Sequence, residues 1–512
     1  MYSYCVGTNG SIAYFDLNSF NSSIRLRRFT MNIILLIIDT MRYDYIGANG
    51  NDWIETPNLD RLASQSWCFD RAFAASFPTI PYRTDVMTGK YGSPFHAWKP
   101  LPFNTNALPY ILGEAGYATQ LLHDTPHLVN GGHAFDYPFH TWTFIRGAEV
   151  DRAWMNDEAK WPSNWAKDPL FDILEDELPI PTIQYARTNR GRENLDEWNC
   201  ARLFNTAAEF LRDNKNRENF FLWIDCFDPH EPWDVPPEFM LKYDKTPDYD
   251  GRLDPRTFKG GTQARSNPNL PDEAKARIKA SYAAKVTWMD HCFGRFLEAF
   301  EATGLDKNTA ILVAGDHGTN VGERDRFGKG APVREQEIHI PLFIKTPEGD
   351  TGRSSAIFQP QDFFATIANL SGAPVPGNIE SYDILKTARE NSLGNREIAL
   401  SGVARGKAMR HLQRGYFTVF DQEGYLEWHP NPEDSILTPY GSLDNIAPEN
   451  PDRVQDLHAS GLAELEHRNA DPIFIDWLKN GAPGNVPECN LFDGYPGPEG
   501  FEMYSSNIYK GT

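Results

Sequence analysis

Cysteine is scarce in this chain. Six occur in 512 residues (Cys5, Cys68, Cys200, Cys226, Cys292 and Cys489), with no Cys-x-x-Cys pair, which excludes a disulfide-dense scaffold and a thiol zinc or redox motif. That usage fits a reducing compartment, so a cytoplasmic protein is expected. Basic residues are in deficit as well. Lys and Arg total 49 against 70 Asp and Glu, a formal charge of −21, which argues against duplex nucleic acid or an anionic membrane as the main partner. No apolar run is long enough for a bilayer: Ile33 to Ile38 falls far short of the roughly 20 residues a spanning helix needs. The first thirty residues are polar and aromatic, and Arg25, Arg27 and Arg28 follow that stretch instead of preceding an apolar core, so no export signal is read there. Residues 1–31 are expected to be a leader, or an arm that covers a neighbouring subunit. Internal repeats and low-complexity tracts are absent too.

With 40% hydrophobic residues, the chain can bury a large core. Ile33 to Ile38 ends in Asp39, and Ala310 to Ala314 leads through Gly315 into Asp316-His317-Gly318. Apolar runs bounded this way read as buried parallel strands of an α/β protein, whose chemistry sits at the carboxyl ends of the strands. That geometry gathers Asp39, Asp316, His317 and Thr79, from Thr79-Ile80-Pro81-Tyr82-Arg83, at one sheet edge. Singly, such an Asp is an ordinary turn or cap residue; the set is what points to a site. Leu108 to Gly116 and Glu193 to Asn214 read as helices, as does Ala274 to Thr303 by its apolar spacing. Asp290 on the last is expected to be structural. Residues 151–200 read as an insertion and 236–271 as a long loop. His123, His133 and His140 are expected to be structural.

The order of these fragments resembles the sulfatase-like branch of the alkaline phosphatase superfamily, which holds sulfatases, phosphonate monoester hydrolases and phosphodiesterases. The resemblance runs through Asn32 to Arg42, Thr56-Pro57-Asn58-Leu59-Asp60-Arg61-Leu62-Ala63, Thr79 to Arg83 with Thr88-Gly89-Lys90-Tyr91, and Glu114-Ala115-Gly116-Tyr117. It continues through Asp228-Pro229-His230-Glu231-Pro232, Gly315 to Gly318 with Lys329, and Ile340-Pro341-Leu342-Phe343. It implies a large, mostly parallel sheet sandwiched by helices over residues 32–374. A smaller C-terminal antiparallel α+β subdomain would occupy 375–512, with Gly415 to Trp428 in its strands.

The resemblance also implies roles. Sulfatases carry Cys or Ser where Thr79 stands and oxidise it to formylglycine; Thr79 cannot reach that aldehyde, because its Cβ bears a methyl group. A hydroxyl beside a divalent cation can still act as an alkoxide nucleophile. Two carboxylates and an imidazole suit one such ion, Mn²⁺, Zn²⁺, Ca²⁺ or Mg²⁺, held by Asp39, Asp316, His317 and Thr79. Thr40 stands where many relatives add another carboxylate. Arg83 and Lys329 are expected to hold the transferred group's oxygens, and His230 to protonate the leaving group. Asp124 replaces a Lys that sulfatases have after Gly-Tyr-x-Thr, so Asp124 and His127 are candidate substrate contacts.

The expected activity is metal-dependent hydrolysis of phosphate diesters or phosphonate monoesters through Thr79. A sulfate or sulfamate ester hydrolase without formylglycine, and a catalytically silent anion-binding protein, are the alternatives. The expected partner is a small anionic ester, and a homo-oligomer is left open.

Overall fold

Alternate residues of one central strand feed two separate cores, and this fixes the architecture. In Asn32–Ile38 every residue is buried; Ile33, Leu35 and Ile37 face one apolar cluster, Ile34, Leu36 and Ile38 the other. A strand covered on both faces carries Ile and Leu without polar alternation.

The computed structural model describes residues 4–6, 12–14 and 31–480, apart from 93–97, 99, 102, 104, 130–131, 152, 154–160, 175–177, 179, 258–269, 331, 395, 404–416, 469 and 471. Residues 1–30 are a unit of their own, in which β1 (Tyr4–Val6) and β2 (Ile12–Tyr14) pair antiparallel. The remaining strands are β3 (Asn32–Ile38), β4 (Trp67–Phe69), β5 (Ser76–Phe77), β6 (Ala118–His123), β7 (Thr141–Phe144), β8 (Phe220–Cys226) and β9 (Thr309–Gly315). They continue with β10 (Asn320–Val321), β11 (Phe327–Gly328), β12 (Leu342–Lys345), β13 (Gly352–Ser354), β14 (Ala399–Val403), β15 (Phe417–Phe420), β16 (Gly424–Glu427) and β17 (Ile436–Pro439).

The main sheet has eight strands in the order β13-β4-β12-β9-β3-β8-β6-β7. Only β12 runs against the others. One face is covered by the helices Asn199–Asp213 and Asp272–Thr303, the other by Thr79–Thr88, Leu108–Glu114 and Asp362–Ser371. The expected α/β sandwich is therefore what the chain forms.

The second sheet, order β17-β16-β15-β14-β5, is antiparallel except where β5 joins β14 in parallel. That junction was not foreseen. Gly402 pairs with Ser76 and Val403 with Phe77, so a C-terminal sheet holds the segment running into Thr79.

Element limits differ locally from expectation. Glu193 to Asn214 divides into a short turn of helix, Leu195–Glu197, and the helix Asn199–Asp213. The 236–271 segment includes the helix Pro237–Tyr243, with 258–269 outside the described residues, and the 151–200 insertion includes the helix Ile180–Thr188. Gly415 lies outside the described residues. Among the described residues no helix is long and apolar enough to cross a membrane.

Asp290 is structural, as expected. From the middle of Asp272–Thr303 it accepts the backbone N–H of Asn58 (3.1 Å) and Leu59 (2.7 Å) and the Asn58 amide (3.0 Å), capping the helix Pro57–Ala63 from outside. Asp290→Ala leaves these donors unmatched in a buried place, so unfolding free energy should fall by about 2–4 kcal/mol while bound metal per folded molecule stays as in wild type. Denaturant melts together with metal analysis check both.

Candidate active site

Parallel register sets Ile38 beside Cys226 on one side and Gly315 on the other. Asp39 and Asp316 are therefore the first residues past β3 and β9, side by side at the carboxyl edge of the sheet. Backbone bonds from Asp39 N to the Cys226 carbonyl (2.8 Å) and from Asp316 N to the Ile38 carbonyl (3.2 Å) fix both.

Thr40 then takes a left-handed conformation, φ 64°, which a β-branched residue rarely adopts. The surroundings enforce it. Its N–H donates to Asp316 Oδ1 (2.8 Å), its hydroxyl to Asp39 Oδ1 (2.8 Å), and its carbonyl accepts from the Tyr282 hydroxyl (2.8 Å). The strain serves to hold the two carboxylates in register. The position at which the resemblance implies a further carboxylate here supplies hydrogen-bond donors.

His317 N–H donates to Asp316 Oδ1 (2.6 Å), and its Nδ1 lies 2.9 Å from the Gly318 carbonyl, a contact that needs the proton on Nδ1. Nε2 is thereby left with its lone pair, 3.4 Å from Thr79 Oγ1, 3.8 Å from Asp39 and 3.7 Å from Asp316. Gly318 admits no side chain, since a Cβ would stand 2.2 Å from the Gln336 carbonyl oxygen.

Thr79 is the first residue of the helix Thr79–Thr88. Its hydroxyl therefore sits at a helix N-terminus, where an anion is favoured.

Arg83 requires a correction. It lies one turn further on, on the same helix face, but points into the sheet edge and is fully buried. Nε and Nη2 grip Asp225 (2.7 and 2.8 Å), Nη1 donates to Asp316 Oδ2 (2.5 Å) and the Thr79 carbonyl (3.0 Å), and Nη2 also reaches Asp39 Oδ2 (3.3 Å). A guanidinium has five N–H donors, and all five are used inside the protein. Arg83 thus holds the carboxylates and not the oxygens of a substrate. Asp225, which the sequence reading missed, is its main partner and also accepts from Thr125 Oγ1 (2.5 Å) and Trp223 Nε1 (3.2 Å).

Charge balance tests whether a metal fits. Asp39, Asp225 and Asp316 are fully buried with Arg83, so three carboxylates face one guanidinium and two negative charges remain. Burying such an excess is costly unless it is neutralised. Burial and the neighbouring Asp316 push Asp39 well above the usual carboxylate range; despite burial, His317 and Arg83 hold Asp316 down to about 2. Burial keeps His317 neutral by lowering it to about 4, the form that ligates metals. Ligand atoms of Asp39, Asp316 and His317 all lie within 4.8 Å of one another. The residues present fit one divalent cation, with Thr79 Oγ1 at its edge.

Beside this cluster lie residues of the loops after β6, β7, β8 and β11. Lys329 Nζ pairs with Glu231 Oε2 (2.7 Å), and its charge acts on Asp39, His127, His230 and His317. His230 Nδ1 lies 2.7 Å from the Glu231 carbonyl, 3.3 Å from Glu231 Oε2 and 3.4 Å from Glu149 Oε2. Burial and Lys329 push His230 down to about 3. An imidazole so held is neutral near pH 7. Its ring stacks on Phe227 at 4.2 Å, and His127 stands beside it, with rings 6.5 Å apart. Burial and His230 push His127 well below its ordinary value.

Asp124 also requires a correction: it is fully buried and accepts from Phe227 N–H (2.7 Å) and the Asn199 amide (2.8 Å). It joins β6 to the loop after β8 and leaves no oxygen for a substrate role. His123, His133 and His140 bond to Thr125, His127 and Thr119 respectively, as structural residues.

The sulfatase family model matches residues 31–373. An arylsulfatase of Clostridium perfringens is 26% identical over 473 residues, 85% of this chain and 95% of that protein. A multifunctional alkaline phosphatase superfamily protein of Trinickia caryophylli is 23% identical over 401 residues, 70% of this chain and 73% of its own length. The crystal structure of a phosphonate monoester hydrolase of Agrobacterium radiobacter shares the fold, with a TM-score of 0.62 at 19% identity, covering 86% of this chain and 95% of that one.

Two substitutions test the site. Asp316→Ala should lower bound metal and abolish turnover. Arg83→Lys supplies one point charge for a five-donor fork, so bound metal and stability should fall together, stability by about 3–5 kcal/mol as buried carboxylates lose their partner. Metal analysis and denaturant unfolding read both effects; an Arg83→Lys protein that kept full metal and stability, with only KM raised, would return Arg83 to substrate binding.

Proposed function

Because the chain belongs to the sulfatase family, a family of hydrolases that act on sulfuric or phosphoric ester bonds, we propose that it hydrolyses singly charged phosphorus esters, phosphonate monoesters or phosphate diesters, with Thr79 as nucleophile. The observation that carries this is the Thr79 hydroxyl, 3.4 Å from His317 Nε2 at the N-terminus of its helix, in the position where formylglycine chemistry would need Cys or Ser. A hydroxyl that cannot become an aldehyde can still attack phosphorus and form an ester.

When bound, a divalent ion would lower the pKa of that hydroxyl and offset the charge of the substrate. Asp39, Asp316 and the neutral His317 would hold it. Thr79 Oγ1, its proton released to solvent beforehand, bonds to phosphorus while the bond to the leaving oxygen breaks in line and its electron pair stays on that oxygen; water later displaces Thr79, which departs as the alkoxide it began as. Lys329 is the cation that faces the transferred group, Arg83 being spent on carboxylates.

That charge inventory supports a monoanionic substrate. Lys329 is already paired with Glu231, and Glu149 lines the same recess, so a dianionic phosphate monoester meets more repulsion than a diester does. A sulfate ester is singly charged too, and the arylsulfatase relative favours it as the second reading. Cys68, Cys200, Cys226 and Cys292 are buried free thiols, which supports placing the protein in a reducing compartment.

Thr79→Ala should cut turnover by several orders of magnitude and Thr79→Ser should keep part of it. Wild type should turn over p-nitrophenyl phenylphosphonate and bis-p-nitrophenyl phosphate faster than p-nitrophenyl sulfate, as judged by kcat/KM. A higher kcat/KM for the sulfate reverses the order of the two readings, and an unchanged rate for Thr79→Ala removes the covalent step.

A further inference from the structure

Lys329 sits on irregular backbone, and a buried carboxylate from another segment fixes that backbone. The ribbon of β10 and β11 ends at Gly328, whose carbonyl accepts the Asn320 amide (2.9 Å). Two residues on, the Gly330 N–H donates to Glu337 Oε1 (2.7 Å). Lys329 therefore has an anchored residue on each side of it, one held by the ribbon and the other by Glu337.

Glu337 belongs to none of the motifs read in the sequence. It lies in the short helix Glu335–Ile338, and its side chain is fully buried. Oε1 also accepts from Arg326 Nη2 (3.3 Å), and Oε2 from the Arg334 N–H (3.2 Å). Arg326 donates in turn to the carbonyls of Gly330 and Pro332, so one ion pair gathers the chain that follows Lys329. Hydrogen bonds to a carboxylate are roughly twice as strong as those between neutral groups, and burying a charge is costly unless such bonds satisfy it. A carboxylate in this place is explained by the loop it organises.

The main chain of the same helix reaches the rest of the site. The Glu337 carbonyl accepts the Gly318 N–H (2.7 Å), and the Gly318 carbonyl lies 2.9 Å from His317 Nδ1. The Ile338 carbonyl accepts the Ala74 N–H (2.9 Å), just before β5 and the segment that leads into Thr79. This helix is thus a common base. Its carbonyls hold neighbours of His317 and Thr79, and the Glu337 side chain holds the neighbour of Lys329.

We propose that the Glu337 carboxylate is the positioning residue for Lys329, setting where its ammonium stands relative to Asp39, Asp316 and His317. The inference rests on the reading of Lys329 above as the cation that faces the transferred group. The contact of Lys329 with Glu231 fixes a separation between two side chains; the place of the Lys329 main chain comes from Gly328 and Gly330. A group that stabilises a reacting centre must be held closely, since a displacement of about 1 Å costs on the order of 10²-fold in rate.

The test is a double-mutant cycle on the full-length protein: wild type, Glu337→Gln, Lys329→Ala and the double variant. Each is assayed with p-nitrophenyl phenylphosphonate, bis-p-nitrophenyl phosphate and p-nitrophenyl sulfate, and each is analysed for bound metal per folded molecule. Glu337→Gln keeps the shape and loses the charge. Its kcat/KM should fall roughly 10²-fold on whichever ester wild type turns over best, with bound metal as in wild type, because the main-chain bond to Gly318 remains. With Lys329 already replaced, the same change should cost less than about 3-fold, since the group it places is gone. A carboxylate that only supports the fold would instead give losses that multiply. Multiplying losses, lost metal, or an unchanged kcat/KM in Glu337→Gln would overturn the assignment. Should Glu337→Gln not fold, Arg326→Gln loosens the same clamp from its partly exposed side and takes its place in the cycle with the same outcomes. Lys329→Ala with wild-type turnover would remove the reading of Lys329, and no turnover by wild type the hydrolase reading; either takes this inference with it, and both are seen without any change at Glu337.

Discussion

Five N–H groups of one buried arginine decide where the charges of this site can be. Arg83 ties Asp225 on β8 to Asp39 after β3 and Asp316 after β9, three neighbouring strand ends that would otherwise repel one another at the dry edge of the sheet. Withdrawing charges from water is costly for each ion, and the cost is offset only by complete hydrogen bonding, which a planar fork with five donors can supply. The remaining formal excess of two negative charges favours a cation beside Asp39 and Asp316.

Rigidity around that cluster comes from both sheets. The parallel core sets the strand ends level, and the strained Thr40 bonds to Asp39 and Asp316 together. The smaller sheet acts on the other component: by accepting β5 as an edge strand it fixes the residues that lead into Thr79. Ser76 and Gly402, far apart in sequence but paired across the strands, thereby help to set where the helix of Thr79 starts. Thr79 held from one sheet and Asp39 and Asp316 held from the other can keep a fixed separation only if the sheets share packing, and Phe73 stacked on Phe420 at 4.8 Å is one such contact.

The strand ends were legible in the sequence because two-sided burial leaves a strong mark: unbroken runs of Ile, Leu, Val and Ala that stop at an acid. Asp39, Asp316 and His317 followed from that mark, and Thr79 from the resemblance of its segment to the family's. The direction of Arg83 was not legible, since it depends on the helix beginning at Thr79 and on an acceptor in another strand. A signal for that acceptor existed, because Asp225 interrupts the apolar run Phe220–Cys226, and an acid inside a fully buried strand requires a cation. Asp124 was misread for the opposite reason: its place in a motif suggested a substrate contact, while its partners, Phe227 and Asn199, are distant in sequence. Glu149 left no mark, because its position depends on bends at Gly147 and Val150 that only the folded loop discloses.

The two halves of the cleft differ in net charge, and the difference bears on where catalysis is most needed. On the metal side, a dication would cancel the excess left by Asp39, Asp225 and Asp316 after Arg83. On the far side, Lys329 and Glu231 cancel each other. A monoanionic ester therefore enters a site that is near balance, and its non-bridging oxygens can be shared between the dication and Lys329. The charge without a partner is the one that develops on the departing oxygen, since the far half has no spare cation to meet it. Transfer of a proton removes that charge without adding an ion there, so a proton donor beside the departing oxygen meets the demand that the fixed charges leave open.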